Sequence, residues 1–209
     1  MPCQPAGLFL FAALIFAFPG LRAQAEGDYS LKTGDVVFQC TAGEQAEAIQ
    51  AATGSRYTHC GVVFEEAGSF KVLEAVQPVK VTSFDEFRKR SVPGTFQVRR
   101  LKTPLSSEAI SDAKEWGKKQ VGLDYDLHFR WDDKTLYCSE LVWKIFKKAG
   151  VELCATRRFQ DYKLDAPEVK KVIDQRYGSK DKLPKEEPVV SPGDLADSPL
   201  LEEVPVQKG

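Results

Sequence analysis

Histidine is scarce: the 209-residue chain has two, His59 and His128, and a single methionine. Zinc needs three or four N, S or O ligands, and no C-x-x-C or H-x-x-x-H spacing occurs, so no metal site is expected and no cofactor is called for. The G-x-S-x-G elbow, the P-loop and the G-x-G-x-x-G fingerprint are also missing. Charge of one sign is lacking too: 29 Lys and Arg against 30 Asp and Glu leave a formal net charge of -1. That balance gives no electrostatic footprint for DNA or RNA, and nucleic acid is excluded as an expected partner.

No apolar run is long enough to span a bilayer. The longest, residues 8–18 (LFLFAALIFAF), is followed by Ala23, Gln24 and Ala25, an A-x-A cleavage pattern. Residues 1–25 therefore read as a secretory signal peptide cleaved after Ala25, although residues 1–7 contain no Lys or Arg. The expected mature domain is 26–209, periplasmic or secreted, with no stable membrane span. Cys3 precedes the apolar run and is not placed for acylation. An oxidising compartment would leave Cys40, Cys60, Cys138 and Cys154 free to form two disulfides, or one if a thiol is at work.

With 43% hydrophobic residues, the chain has material for one sizeable core. Residues 36–40 (VVFQC) read as a strand and 44–53 (EQAEAIQAAT) as a helix stopped by Gly54. Residues 59–64 and 70–76 read as a hairpin closed by a four-residue loop, 65–68, with residues 79–81 extending or following its second strand. Ser83 caps a short helix, residues 95–101 alternate as a strand, and Ser106 or Ser107 caps a helix running to about Val121. The clearest amphipathic helix begins near Cys138 and closes at Gly150. A further helix starts at Pro167. The tail beyond Leu183 has five prolines, a sign of disorder, yet Ser191 to Asp194 is also a capping signature. The fold class is α+β, an antiparallel sheet packed against helices.

In residues 57–63 (YTHCGVV), His59 stands beside Cys60. If Phe64 faces Ser69 across the hairpin, His59 lies opposite Glu74 on one face, while alternation turns Cys60 to the other. Cys138 is the better nucleophile: a helix amino terminus favours a thiolate and can later hold an oxyanion. His59 could then act as base, with Glu74 fixing its orientation. Taken singly, each has a plainer reading: Cys138 as core, His59 as a bonded strand-end histidine, Glu74 as a solvated carboxylate. His128 reads as a loop or core histidine.

Residues 32–38 (KTGDVVF), 58–63 (THCGVV), 72–75 (VLEA), 122–126 (GLDYD), 137–142 (YCSELV) and the tail 189–201 together resemble the permuted NlpC/P60 papain-like proteins of the YiiX type. The resemblance implies a circularly permuted papain-like fold, with the histidine-bearing sheet preceding the cysteine-bearing helix. It implies Cys138 as nucleophile, His59 as general base and Glu74 as the orienting residue, with Tyr125, Asp126 and Tyr137 along the cleft. The activity it implies is that of a cysteine amidase or peptidase acting on a cell-wall peptide or lipid amide. Acyl transfer or lipid hydrolysis on the same triad, and a binding module that holds a peptide or lipid without turnover, are the alternatives.

Overall fold

The computed structural model describes residues 28–207; the expected signal peptide lies outside them. In chain order the elements are β1 (Val36–Gln39), α1 (Glu44–Thr53), β2 (His59–Glu66), β3 (Ser69–Glu74), β4 (Lys80–Ser83), α2 (Phe84–Lys89), β5 (Gln97–Leu101), α3 (Ser107–Lys119), α4 (Cys138–Lys148), β6 (Arg157–Arg158), α5 (Pro167–Tyr177), β7 (Pro188–Val189), α6 (Pro192–Ala196) and β8 (Leu201–Glu203). Six strands form one antiparallel sheet in the order β4-β3-β2-β1-β5-β8, and β6 pairs with β7 apart from it.

Alternating apolar residues give the sheet two buried faces. Val36, Phe38, Cys60, Val62 and Leu73 pack against Leu141, Val142, Ile145 and Phe146 of α4. Val37, Val63, Val72 and Val98 are covered by Phe84 and Phe87 of α2. α2 is well placed for this because Ser83 and Glu86 close a capping box at its start. A smaller apolar cluster, Leu164, Val169, Ile173 and Leu183, joins α5 to Ala51 and Ala52 of α1.

One expectation changes. The hairpin turn is the pair Ala67-Gly68, both at positive φ, rather than a four-residue loop, so Glu66 pairs with Ser69. The register moves by two: Glu74 sits level with Gly61, not His59. A two-residue slip preserves the face, so His59 and Glu74 still point the same way and meet diagonally past a residue without a side chain. A Cβ at Gly61 would lie 2.5 Å from Val72 Cγ1 and 2.9 Å from the Leu73 carbonyl oxygen. Gly61→Ala is expected to cost about 1–3 kcal/mol by overpacking, measured by urea unfolding; an unchanged midpoint would contradict the close approach.

The tail, for which composition and capping signature pointed opposite ways, follows the capping signature: Ser191 caps α6, the buried Leu195 and Ala196 join the main core, and β8 adds an edge to the sheet through β5. Five prolines are compatible with this because Pro188 and Pro192 occupy a strand end and the first helical position.

Candidate active site

Three elements converge at one end of the sheet. β2 begins at His59, β3 ends at Glu74, and α4 begins at Cys138. α4 packs on β2 through its apolar stripe, which brings its amino terminus beside the histidine. His59 Nε2 lies 2.6 Å from Glu74 Oε2, and the imidazole stacks on Phe87 with ring centroids 5.4 Å apart. The other Glu74 oxygen, Oε1, accepts from the Thr82 hydroxyl and from Arg90 Nη2, each at 2.5 Å. Glu74 is fully buried, and Cys138 and His59 are 3% and 7% exposed.

Electrostatics follow from these contacts. Burial pushes the Glu74 carboxyl up, but the hydrogen bonds from His59 and Thr82 and the charge of Arg90 outweigh it and hold the group below its usual range. Burial likewise opposes charge on His59, yet hydrogen bonds to Cys138 and Glu74 raise it to about 9. The Cys138 thiol is lowered well below its ordinary value, first by the Cys60 thiol hydrogen-bonded to it and then, against burial, by His59. The site thus favours a thiolate–imidazolium pair. Burial pushes the Cys60 thiol up, and burial with the nearby Asp194 pushes Cys154 up to about 12. All four described cysteines are free thiols.

Cys60 was expected behind the sheet, and it is. That face is where α4 docks, so Cys60 lies in the same core as Cys138 and helps to lower its thiol. The sequence signal, alternation, was present; what it lacked was which face the helix covers.

The remaining expected residues divide. The Tyr125 hydroxyl accepts from Gln45 Nε2 at 2.8 Å, and the ring lines both cavities beside the site. Tyr137, just before α4, lines one of them. Asp126 lines neither: its carboxylate accepts from the backbone N–H of His128 at 2.8 Å and of Arg130 at 2.6 Å, which closes the loop ahead of α4. Thr82, Phe87 and Arg90 had no sequence signal, since each reaches the site through tertiary packing.

Removing the carboxylate tests how far it holds the site together. Glu74→Ala leaves a buried imidazole, a hydroxyl and a guanidinium without their acceptor, and is expected to cost about 3–5 kcal/mol in urea unfolding. Glu74→Gln keeps an acceptor for His59 and should recover part of this. A loss below about 1 kcal/mol for the alanine variant would contradict the network.

The family model for permuted papain-like amidase enzymes, YaeF/YiiX, C92 family, matches residues 30–205. The chain is 34% identical over 193 residues to the uncharacterized protein YiiX of Escherichia coli (strain K12), covering 92% of each. It resembles the crystal structure of metalloprotein YiiX from Escherichia coli O157:H7 with a TM-score of 0.79 and 36% identity, over 84% of this chain and 97% of that one. Among the described residues of this chain, no three His, Cys, Asp or Glu side chains converge as metal ligands. None of the described helices is long and apolar enough to cross a membrane. The matching family is C92, which is a different family from NlpC/P60.

Proposed function

The chain belongs to the permuted papain-like amidase family C92, and we propose that it is a cysteine amidase with Cys138 as nucleophile, His59 as acid and base, and Glu74 as the orienting carboxylate. The observation that carries this reading is the buried His59–Glu74 pair, 2.6 Å apart, at the end of the sheet where α4 begins with the buried Cys138. The thiolate attacks an amide carbonyl, and first-turn amides of α4 face the developing oxyanion. The His59 imidazolium passes its proton to the departing amine, leaving a thioester on Cys138. His59, now neutral, takes a proton from water as it attacks the thioester, and the acid departs.

The test is stoichiometric. One equivalent of iodoacetamide at pH 6 is expected to modify Cys138 and to abolish amine release in parallel. Modification of Cys154 or Cys40 instead, with Cys138 untouched, would sink the reading. We further propose export with removal of residues 1–25. The intact mass of the protein recovered from cells should then begin at Glu26, and a retained Met1 would overturn that.

A further inference from the structure

Gln39, the last residue of β1, is fully buried, and among the described residues no protein group bonds to either its side-chain oxygen or its nitrogen. Its backbone is engaged, with the carbonyl accepting from the Thr58 N–H at 3.0 Å, so the strand fixes the main chain and leaves only the carboxamide uncommitted. The register sets Gln39 directly opposite His59. Opposed residues share a face, with Cβ atoms about 5 Å apart. The surroundings on that face are apolar: Val37, two residues back on β1, lies in the cluster covered by Phe84 and Phe87, and Phe87 itself stacks on the imidazole. His59 is therefore flanked by Glu74 from β3 on one side and by Gln39 from β1 on the other. The titratable and charged groups around the ring are Glu74, Arg90 behind it, Cys138 of α4 and Cys60 of β2, with Glu44 and Tyr125 across the adjoining cleft. None of them stands on the β1 side.

We infer that Gln39 is a positioning residue for His59, presenting its carboxamide oxygen to the imidazolium from the side of the ring away from Glu74. This rests on the role of His59 in the amidase reading above and adds a residue to it. A buried amide without a protein partner weakens the fold, and a leucine or methionine would fill the same place without that cost. What an apolar side chain lacks is a dipole. Because neither end of the amide is bonded elsewhere in the protein, its orientation follows the nearest charge, and beside a cation the oxygen turns inward. Away from water such a dipole acts more strongly than it would at the surface. Glu74 already occupies Nε2 of the ring at 2.6 Å, so Gln39 acts on the imidazolium through space and leaves that bond in place.

The test is Gln39→Met, which keeps the length of the side chain and removes the dipole, with Gln39→Leu as a second apolar variant. The His59 titration, followed by NMR of its side-chain nitrogens, is expected to fall by about half to one pH unit in both. With N-hexanoyl ethanolamine as the amide probe, the alkaline limb of kcat/KM should move down with it. The rate then drops about threefold to tenfold near pH 9 and stays within about twofold of wild type at pH 6. The urea midpoint should hold or rise, because an unbonded buried amide has been replaced by an apolar group. A residue that only fills space would leave the titration where it is and affect the rate equally at every pH. An unmoved His59 titration in either variant overturns the inference, whatever the rates do, and leaves the amidase reading intact. A titration that falls in a protein inert toward the probe upholds Gln39 and counts against the amidase reading alone.

Discussion

Cys138→Ala is expected to lower amide hydrolysis by a factor on the order of 10⁴ to 10⁶, with the fold unchanged. The size follows from covalent catalysis: when the attacking atom is removed, what remains of the site can still bind substrate and polarise a carbonyl but cannot split the reaction into two steps. Cys138 is buried between β2 and α4, and alanine there removes one sulfur from the core. The stability cost should stay near 1–2 kcal/mol, so lost activity and lost fold are separable by circular dichroism and urea unfolding. Residual activity within tenfold of wild type would exclude Cys138 as nucleophile.

The second large effect concerns His59. In His59→Ala, iodoacetamide labelling of Cys138 at pH 6 is expected to slow on the order of tenfold to 100-fold. An ordinary thiol is roughly 0.3% thiolate at that pH, against a predominantly ionised Cys138 beside an imidazolium. The full ratio is not expected, because nucleophilicity falls with thiol pKa and because Cys60, which also lowers the Cys138 thiol, is still present in the variant. Near pH 9.5 both proteins carry thiolate and the gap should close. A pH-independent difference would point to altered access rather than lost ion pairing.

How much of this site was legible beforehand depends on which physical rule each residue obeys. The pairing of His59 with Glu74 was reached through a wrong hairpin register. It survived because side chains repeat every two residues and the error was two. The amphipathic stripe that docks α4, and with it the position of Cys138, was legible because a period of 3.6 is a local signal. Cys60 shows the limit of such signals: its face was assigned correctly, but what lies over that face depends on α4, which begins 78 positions later. Arg90 and Thr82, which complete the acceptor set of Glu74, come from α2 and an edge strand and carry no pattern that marks them. The proline-rich tail carried two opposed signals: composition argued against order, whereas the local capping signature at Ser191 argued for it, and the structure follows the local one.

The same geometry sets the order in which perturbations should act. Changes at Glu74 reach the thiolate only through His59, so they should alter stability and the orientation of the ring before they alter the sulfur.

The central claim is the thiolate–imidazolium pair, and the most direct measurement is an NMR titration of the His59 side-chain nitrogens. With only two histidines in the chain, a His128 variant assigns the signals. The account predicts that His59 remains an imidazolium to about pH 9, against an ordinary value of 6.5. It also predicts that Cys138→Ala, which removes the negative partner, moves that titration down by more than one pH unit. A His59 that titrates at or below 6.5 in the wild-type protein, and does so regardless of Cys138, would contradict it.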